Sequence, residues 1–559
     1  MHILLIIFYS MVFGAALLAR TRLDKYDAAW KYFALPLAVG SALSTLICMT
    51  DVGSKFTFTA GILQLGLYSF MTIIVMHFYG SRGKNEDKHR RGASVVRAAE
   101  LNKLTKAEPS RLELGGVKIP ARIETRSFLF VGSPGSGKSQ GIMKFADRLA
   151  RDGDTMIFSD PSSQFLQRYG KEGDAIFNPH DSRCCKWSPW ADISGVEHCE
   201  SMAKSIIPDG QGSAAEWNGY AQTILTSMLI RLFLRDNPTN RDLYYYTSVA
   251  PVSEIRELVQ GLPAAPLCAE ENERMFGSVR AILGTYLQPL ALLDPDAGRK
   301  NGFSISRHIK ENQGNLFFSY KQDQLASIRS LIACGLDICS RTILSLDPVK
   351  DRATGRRIWM ILDEFPLLGR VHSIVPLLTN GSKHGAALVV GIQTISQLRG
   401  TYSKEGAQDI MASLGSQMIL RCADAETAEY FSKTLGKREI MRTNYSSGDA
   451  GSFIGGDNSR WAQQVATEDS VLPSEIQTFQ DLTGCLKLAG DYPIAAIRLG
   501  IVPDHESKIE AFQARDYSNT AFAQPVKPVA VQPVSDHAPA PEAALETDAS
   551  GDFFGSFEV

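Results

Sequence analysis

FLFVGSPGSGKSQGIMKF, Phe128 to Phe145, is an apolar run, a glycine-rich turn, a lysine and a serine, then an amphipathic segment. Phe128–Val131 reads as a buried strand, short and continuously apolar. The turn fits G-x-x-x-x-G-K-[ST] from Gly132 to Ser139. Gly132, Gly135 and Gly137 are expected to supply the tight turn and its positive φ angles. The backbone N–H groups of such a loop can face the phosphates of a nucleotide, and the helix starting near Lys138 adds its positive end. The candidate ATP-binding set is therefore Gly132, Ser133, Pro134, Gly135, Ser136, Gly137, Lys138, Ser139 and Gln140. Lys138 would reach the β- and γ-phosphates, and the Ser139 hydroxyl would hold Mg²⁺. A glycine-rich turn with a surface lysine is the plainer alternative. The strand before and the helix after argue against it.

The 559 residues carry a net charge of −2, so any nucleic-acid contact must rest on local patches rather than overall charge. Length allows roughly two to four domains. The nine cysteines show no C-x-x-C spacing, and Cys184-Cys185 is the only close pair. This usage fits reduced thiols in a cytoplasmic compartment and argues against structural zinc.

Residues 1–80 differ from the rest. His2–Ala19, Tyr32–Met49 and Phe58–Tyr79 are apolar and each about long enough to cross a bilayer. Two or three membrane helices are expected there, the last two forming a hairpin around Asp51, Gly53 and Lys55. The first stretch lacks the basic start and the cleavage site of a signal peptide. Arg82, Lys84, Lys88, Arg90, Arg91 and Arg97 follow within a linker spanning 81–110. By the positive-inside rule this linker is cytoplasmic, and it faces anionic head groups.

Downstream, Thr155–Phe158 reads as a second buried strand ending at Asp160, where open α/β sheets bind ligands. Arg357–Glu364 reads RIWMILDE, an apolar strand tipped by two acids. Set beside the strand of the glycine loop, it would bring Asp363 to Mg²⁺ and let Glu364 polarise the attacking water. Ala386–Ile392 is another buried strand, ending at Gln393. Gln393 can sense the γ-phosphate or simply cap the strand. Three such strands in this order suggest an α/β fold: a RecA-like P-loop NTPase domain, a parallel sheet covered by helices. It is expected over 111–190 and 303–515. Residues 191–302 carry helical periodicity between Pro and Gly breaks, and suggest an inserted all-α domain.

With these residues in hand, the chain resembles the type IV secretion coupling proteins, the TraD/TraG-type conjugative ATPases. The resemblance covers roughly 110–515 and the membrane anchor. Its carriers are Glu124-x-Arg126, NPHDSRCCKW (Asn178–Trp187), EWNGYAQTIL (Glu216–Leu225), FSI (Phe303–Ile305), LDEFPLLGR (Leu362–Arg370), GIQTISQL (Gly391–Leu398) and TAEYFSKTLG (Thr427–Gly436). The resemblance implies a multi-pass protein of the bacterial inner membrane, the bulk of it cytoplasmic, assembled as a homo-hexamer. Such a protein receives single-stranded DNA with its attached relaxase from the relaxosome and passes it to the secretion channel. One departure stands out. Gly381-Ser382-Lys383-His384-Gly385 replaces a G-R-K-x-G pattern, so Ser382 occupies the position of a candidate arginine finger. Arg126 then becomes the better candidate, with a structural ion pair as its alternative role.

From about residue 520 the chain is Pro/Ala-rich and ends in ETDASGDFFGSFEV, acidic with Phe553, Phe554 and Phe557. This composition suggests a disordered tether. Its end reads either as a docking peptide, which the same resemblance implies for a relaxosome accessory protein, or as a solvating tail without a partner. The competing functions are a double-strand DNA pump of the FtsK type and an ATP-switched receptor for protein effectors.

Overall fold

The computed structural model describes residues 88–351, 354–446, 460–504, 507, 509–518 and 520. The membrane segments expected within 1–80 and the tail beyond Thr520 lie outside them. Among the described residues no helix is long and apolar enough to cross a membrane.

Two compact units are present. In the smaller, strands β1 (Lys88–Gly92), β12 (Lys437–Ser446) and β13 (Arg460–Asp469) pair in the order β1-β12-β13, and Arg90 pairs with Glu439 at 3.8 Å.

The larger unit is built on a ten-stranded sheet. In chain order its strands are β2 (Val95–Arg97), β5 (Phe128–Val131), β6 (Thr155–Pro161), β7 (Ala175–Ile176), β8 (Leu316–Tyr320), β9 (Ile358–Leu362), β10 (Ala386–Ile392), β11 (Ser416–Ile419), β14 (Thr483–Lys487) and β15 (Ile494–Arg498). They lie side by side as β2-β15-β14-β11-β5-β10-β9-β6-β8-β7. A separate hairpin, β3 (Ser110–Leu114) with β4 (Val117–Pro120), precedes β5. The central strands are buried along their whole length, as a sheet covered on both faces requires. Leu129, Val131, Met360, Leu362, Leu388 and Val390 serve one core. Phe128, Phe130, Trp359, Ile361, Ala387 and Val389 serve the other. Side chains alternate across the strand, so apolar residues at every position fill both.

Two expectations are corrected. The sheet is mixed: β14 runs antiparallel to both β11 and β15. And the acid-tipped β9 is not beside β5. The Gln393 strand β10 lies between them, pairing Ile392 with Val131 on one side and Val390 with Leu362 on the other. Strands of similar apolar composition carry no label for which neighbour they choose, so local pattern could not supply this order.

The helix Lys138–Asp152 returns from the glycine loop across the second core, burying Ile142, Phe145, Ala146 and Leu149. Their spacing puts all four on one face. Gly153 ends it at φ 77°, its N–H donating to the Leu149 carbonyl. From Pro189 to Leu292 the described chain holds helices and turns without a sheet strand. Among them, Ala214–Phe233 buries Ile224, Leu225, Met228 and Leu232.

Candidate active site

The C-terminal ends of β5, β10 and β9 converge on one point. The glycine loop leaves β5 with the Gly132 N–H donating to the Ile392 carbonyl (3.3 Å), and Ser133 N–H to the Arg421 carbonyl (2.8 Å). Gly135 and Gly137 take φ values of 78° and 104°, the conformations only glycine adopts freely. Gly132 is needed for another reason. Its φ is not positive, but an added Cβ would meet Leu420 Cβ at 3.0 Å and collide with the Ser136 hydroxyl. Pro134 and Gly135 are exposed at the tip; Ser136 is buried, and its hydroxyl is without a hydrogen-bond partner.

Lys138 is only 6% exposed and forms ion pairs with both acids at the tip of β9: Asp363 at 3.4 Å and, more closely, Glu364. The Ser139 hydroxyl donates to Asp363 Oδ2 at 2.9 Å. Asp363 Oδ1 is buried and makes no hydrogen bond. Gly391 on β10 makes room for that carboxylate, since a Cβ there would stand 2.8 Å from Oδ1. A serine hydroxyl touching a carboxylate whose other, buried oxygen makes no hydrogen bond and faces the Lys138 ammonium at 3.4 Å is a hard-oxygen set that fits Mg²⁺. Glu364 sits at φ 57°, ψ 44°, a left-handed conformation that costs a non-glycine residue roughly 1 kcal/mol or more. Gln393 follows Ile392 directly and is half-buried at the same strand ends.

The expected loop, Asp363, Glu364 and Gln393 thus come together. Arg126 does not join them. It precedes β5, at the opposite end of the strand from Gly132, exposed and without an ion pair among the described residues. The neighbouring Glu124 is instead the buried partner of Arg111 (3.0 Å) and Arg357 (3.3 Å). Lys383 is exposed at the same sheet end as Arg126, ahead of β10.

Other residues shape the site from around it. Asp160, at the tip of β6, accepts the N–H groups of Phe165 (3.1 Å) and Leu166 (2.7 Å). Burial pushes its carboxyl up to about 7, opposed by those two N–H groups. Its two carboxylate oxygens thereby anchor the turn after β6. Distal sequence also braces the loop. Leu482 N–H donates to the Ser136 carbonyl (2.9 Å), and the Gln140 side chain accepts from Val502 N–H (2.8 Å). Leu482 packs where a Gly137 Cβ would stand, at 2.6 Å.

A glycine loop, its lysine and serine, and an acid-tipped strand one place removed define a P-loop NTPase of the α/β class. The particular family follows from comparison. A family model described as the type IV secretion-system coupling protein DNA-binding domain matches residues 111–500, and the chain belongs to that family. It is 26% identical over 468 residues to the coupling protein TraD of Escherichia coli strain K12, covering 81% of this chain and 64% of TraD. Protein VirD4 of Rhizobium radiobacter is 26% identical over 361 residues, covering 60% of this chain and 51% of VirD4. The chain therefore spans less than two thirds of either relative. Among solved structures, the bacterial conjugative coupling protein TrwBdeltaN70 superposes with a TM-score of 0.70 at 30% identity, covering 77% of this chain and 97% of that one. TrwB solved with ADP and Mg²⁺ gives a TM-score of 0.68 at 30% identity, covering 77% and 98%.

Proposed function

We propose that the chain is a membrane-anchored ATPase that couples the relaxosome to a type IV secretion channel and moves single-stranded DNA with attached relaxase. The observation that carries this reading is the Ser139–Asp363 contact at 2.9 Å beside the Lys138–Glu364 pair, in a chain of the coupling-protein family. Structures of TrwB with a non-hydrolysable ATP analogue and with ADP and Mg²⁺ support ATP and Mg²⁺ as ligands.

The loop Gly132–Gln140 would hold the phosphates, with Lys138 released from Glu364 to the β- and γ-oxygens. Ser139 and Asp363 would hold Mg²⁺, which supplies charge neutralisation across those oxygens. Glu364 is then free to orient and polarise the attacking water. Gln393, seated between the loop and Asp363, would report the γ-phosphate to both strands. Arg126 lies too far along β5 to serve its own site, so a finger role requires the neighbouring copy of a ring, a homo-hexamer by analogy with the family. Residues 1–80 would anchor that ring as a multi-pass protein of the inner membrane. The acidic end of the tail would serve as a docking peptide for a relaxosome protein.

The test is hydrolysis by the full chain in detergent, with single-stranded, double-stranded or no DNA, and Lys138→Ala as control. Stimulation by single strands is expected. A preference for duplex would favour an FtsK-like pump. Hydrolysis indifferent to DNA would favour an effector receptor and overturn the proposal.

A further inference from the structure

The last described residues of the chain are sewn to its surface. Arg183 donates to the Glu510 carbonyl (2.9 Å), Asp181 accepts from Gln513 N–H (3.3 Å), and Lys321 stacks on Phe512 at 4.1 Å. Arg515 then reaches two carbonyls, Pro179 (3.2 Å) and Leu292 (2.6 Å). Tyr517 meets His180 Nδ1 at 2.6 Å, and His180 Nε2 meets the Ser327 hydroxyl at 2.9 Å. Thr520 is buried beside Tyr517.

His180, Ser327 and Leu292 are also walls of a cavity of about 330 Å³. Its remaining lining is largely apolar, including Tyr286, Pro289 and Leu368, but it includes two guanidinium groups, Arg329 and Arg370. Arg329 is exposed and unpaired among the described residues; Arg370 makes one long bond to the Asp209 carbonyl (3.4 Å). The nearby acids are Asp209, whose carboxylate pairs with His372 (3.6 Å), and Asp323, whose charge acts on His180. Apolar walls with two available guanidinium groups suit a ligand that combines aromatic rings with carboxylates.

The chain itself supplies such a segment, and supplies it at the rim. Beyond Thr520 lie residues 521–559, with no Lys or Arg after Lys527. Their end carries Glu542, Glu546, Asp548, Asp552 and Glu558 around Phe553, Phe554 and Phe557. An extended proline-rich tether spans about 3 Å per residue, so residues 521–540 reach anywhere around the cavity. Because the tether starts at the rim, the effective concentration of its end there is high, on the order of millimolar.

The geometry points to an intramolecular site: residues 541–559 dock in the cavity between Arg329, Arg370 and Leu292, phenylalanines inward and carboxylates on the two arginines. Leu368, Gly369 and Arg370 belong to the loop that leaves Asp363-Glu364, so the docked segment rests on the continuation of the catalytic strand. A partner that takes this segment must first remove it from the cavity.

The test uses a fluorescent peptide of residues 541–559 and two proteins in detergent, the full chain and a version ending at residue 540. The peptide should bind the shortened protein and bind the full chain more weakly, because the attached segment competes. The double variant Arg329→Glu/Arg370→Glu should lower its affinity about tenfold or more. So should Phe→Ser changes at 553, 554 and 557 of the peptide. Equal binding to both proteins, or indifference to either set of changes, overturns the proposal. A second measurement is independent of those variants: a photo-crosslinking phenylalanine at 554 of the full chain, mapped by mass spectrometry. Crosslinks should fall in 285–292, 326–333 or 368–370. Crosslinks elsewhere, or between chains of different isotopic label, overturn the intramolecular site.

Discussion

The Ser139 hydroxyl donates to Asp363 at 2.9 Å, joining two residues 224 positions apart in sequence. This bond marks where the helix after the glycine loop meets the acid-tipped strand. It makes the metal site testable apart from the fold. Ser139→Ala should weaken the Mg²⁺ dependence of ATP hydrolysis, raising half-saturating Mg²⁺ severalfold, with an unchanged melting temperature. Gly391→Ala should do the same from the other side, because its methyl group would displace the Asp363 carboxylate.

Lys138→Ala and Glu364→Gln should separate binding from chemistry. The first removes the cation proposed to meet the phosphates and should lose both nucleotide binding and turnover. The second should still bind ATP while turnover falls about 10²-fold or more, the order seen when one group aligned with the transition state is lost. Isothermal titration with a non-hydrolysable analogue beside steady-state hydrolysis distinguishes the two.

Much of this site was legible in the sequence, because it depends on local signals. Glycines at Gly135 and Gly137, the lysine and the two acids announce themselves by type and spacing. What was not legible is pairing. That β10 separates β5 from β9 follows from tertiary competition among similar apolar strands. The support of the loop by Leu482 and Val502 comes from residues with no mark in their own neighbourhood. Gly391 reads as an ordinary strand glycine until Asp363 is placed against it. Gly132 was assigned to the right loop for the wrong reason, since its constraint is space and not φ.

Arg126→Ala should bind ATP normally and hydrolyse it poorly in assembled protein. Mixing it with Lys138→Ala subunits should restore part of the turnover, because a mixed assembly pairs an intact loop with a neighbour's intact Arg126. Wild-type turnover by Arg126→Ala alone would remove it from the chemistry, leaving a surface cation.

His180 gives the terminal strap a pH dependence. Burial lowers its pKa below the ordinary 6.5, and Arg515 adds to the effect, while Asp323 opposes it. The native contact with Tyr517 and Ser327 therefore favours the neutral ring. An undocked strap leaves the ring to titrate near 6.5 and so binds more protons. Docking is then fully present above about 6.5 and weakens as pH falls below it. Hydrogen exchange of Glu510–Thr520, corrected for intrinsic rates, should show protection falling as pH drops below about 6.5. His180→Gln should remove that dependence.

Glu364 holds a left-handed backbone that glycine or asparagine would occupy at lower cost. A population of variants selected for heat resistance alone should therefore accumulate substitutions at this position. Selection that also demands ATP hydrolysis should forbid them. The glutamate is a point where robustness and work are bred in opposite directions.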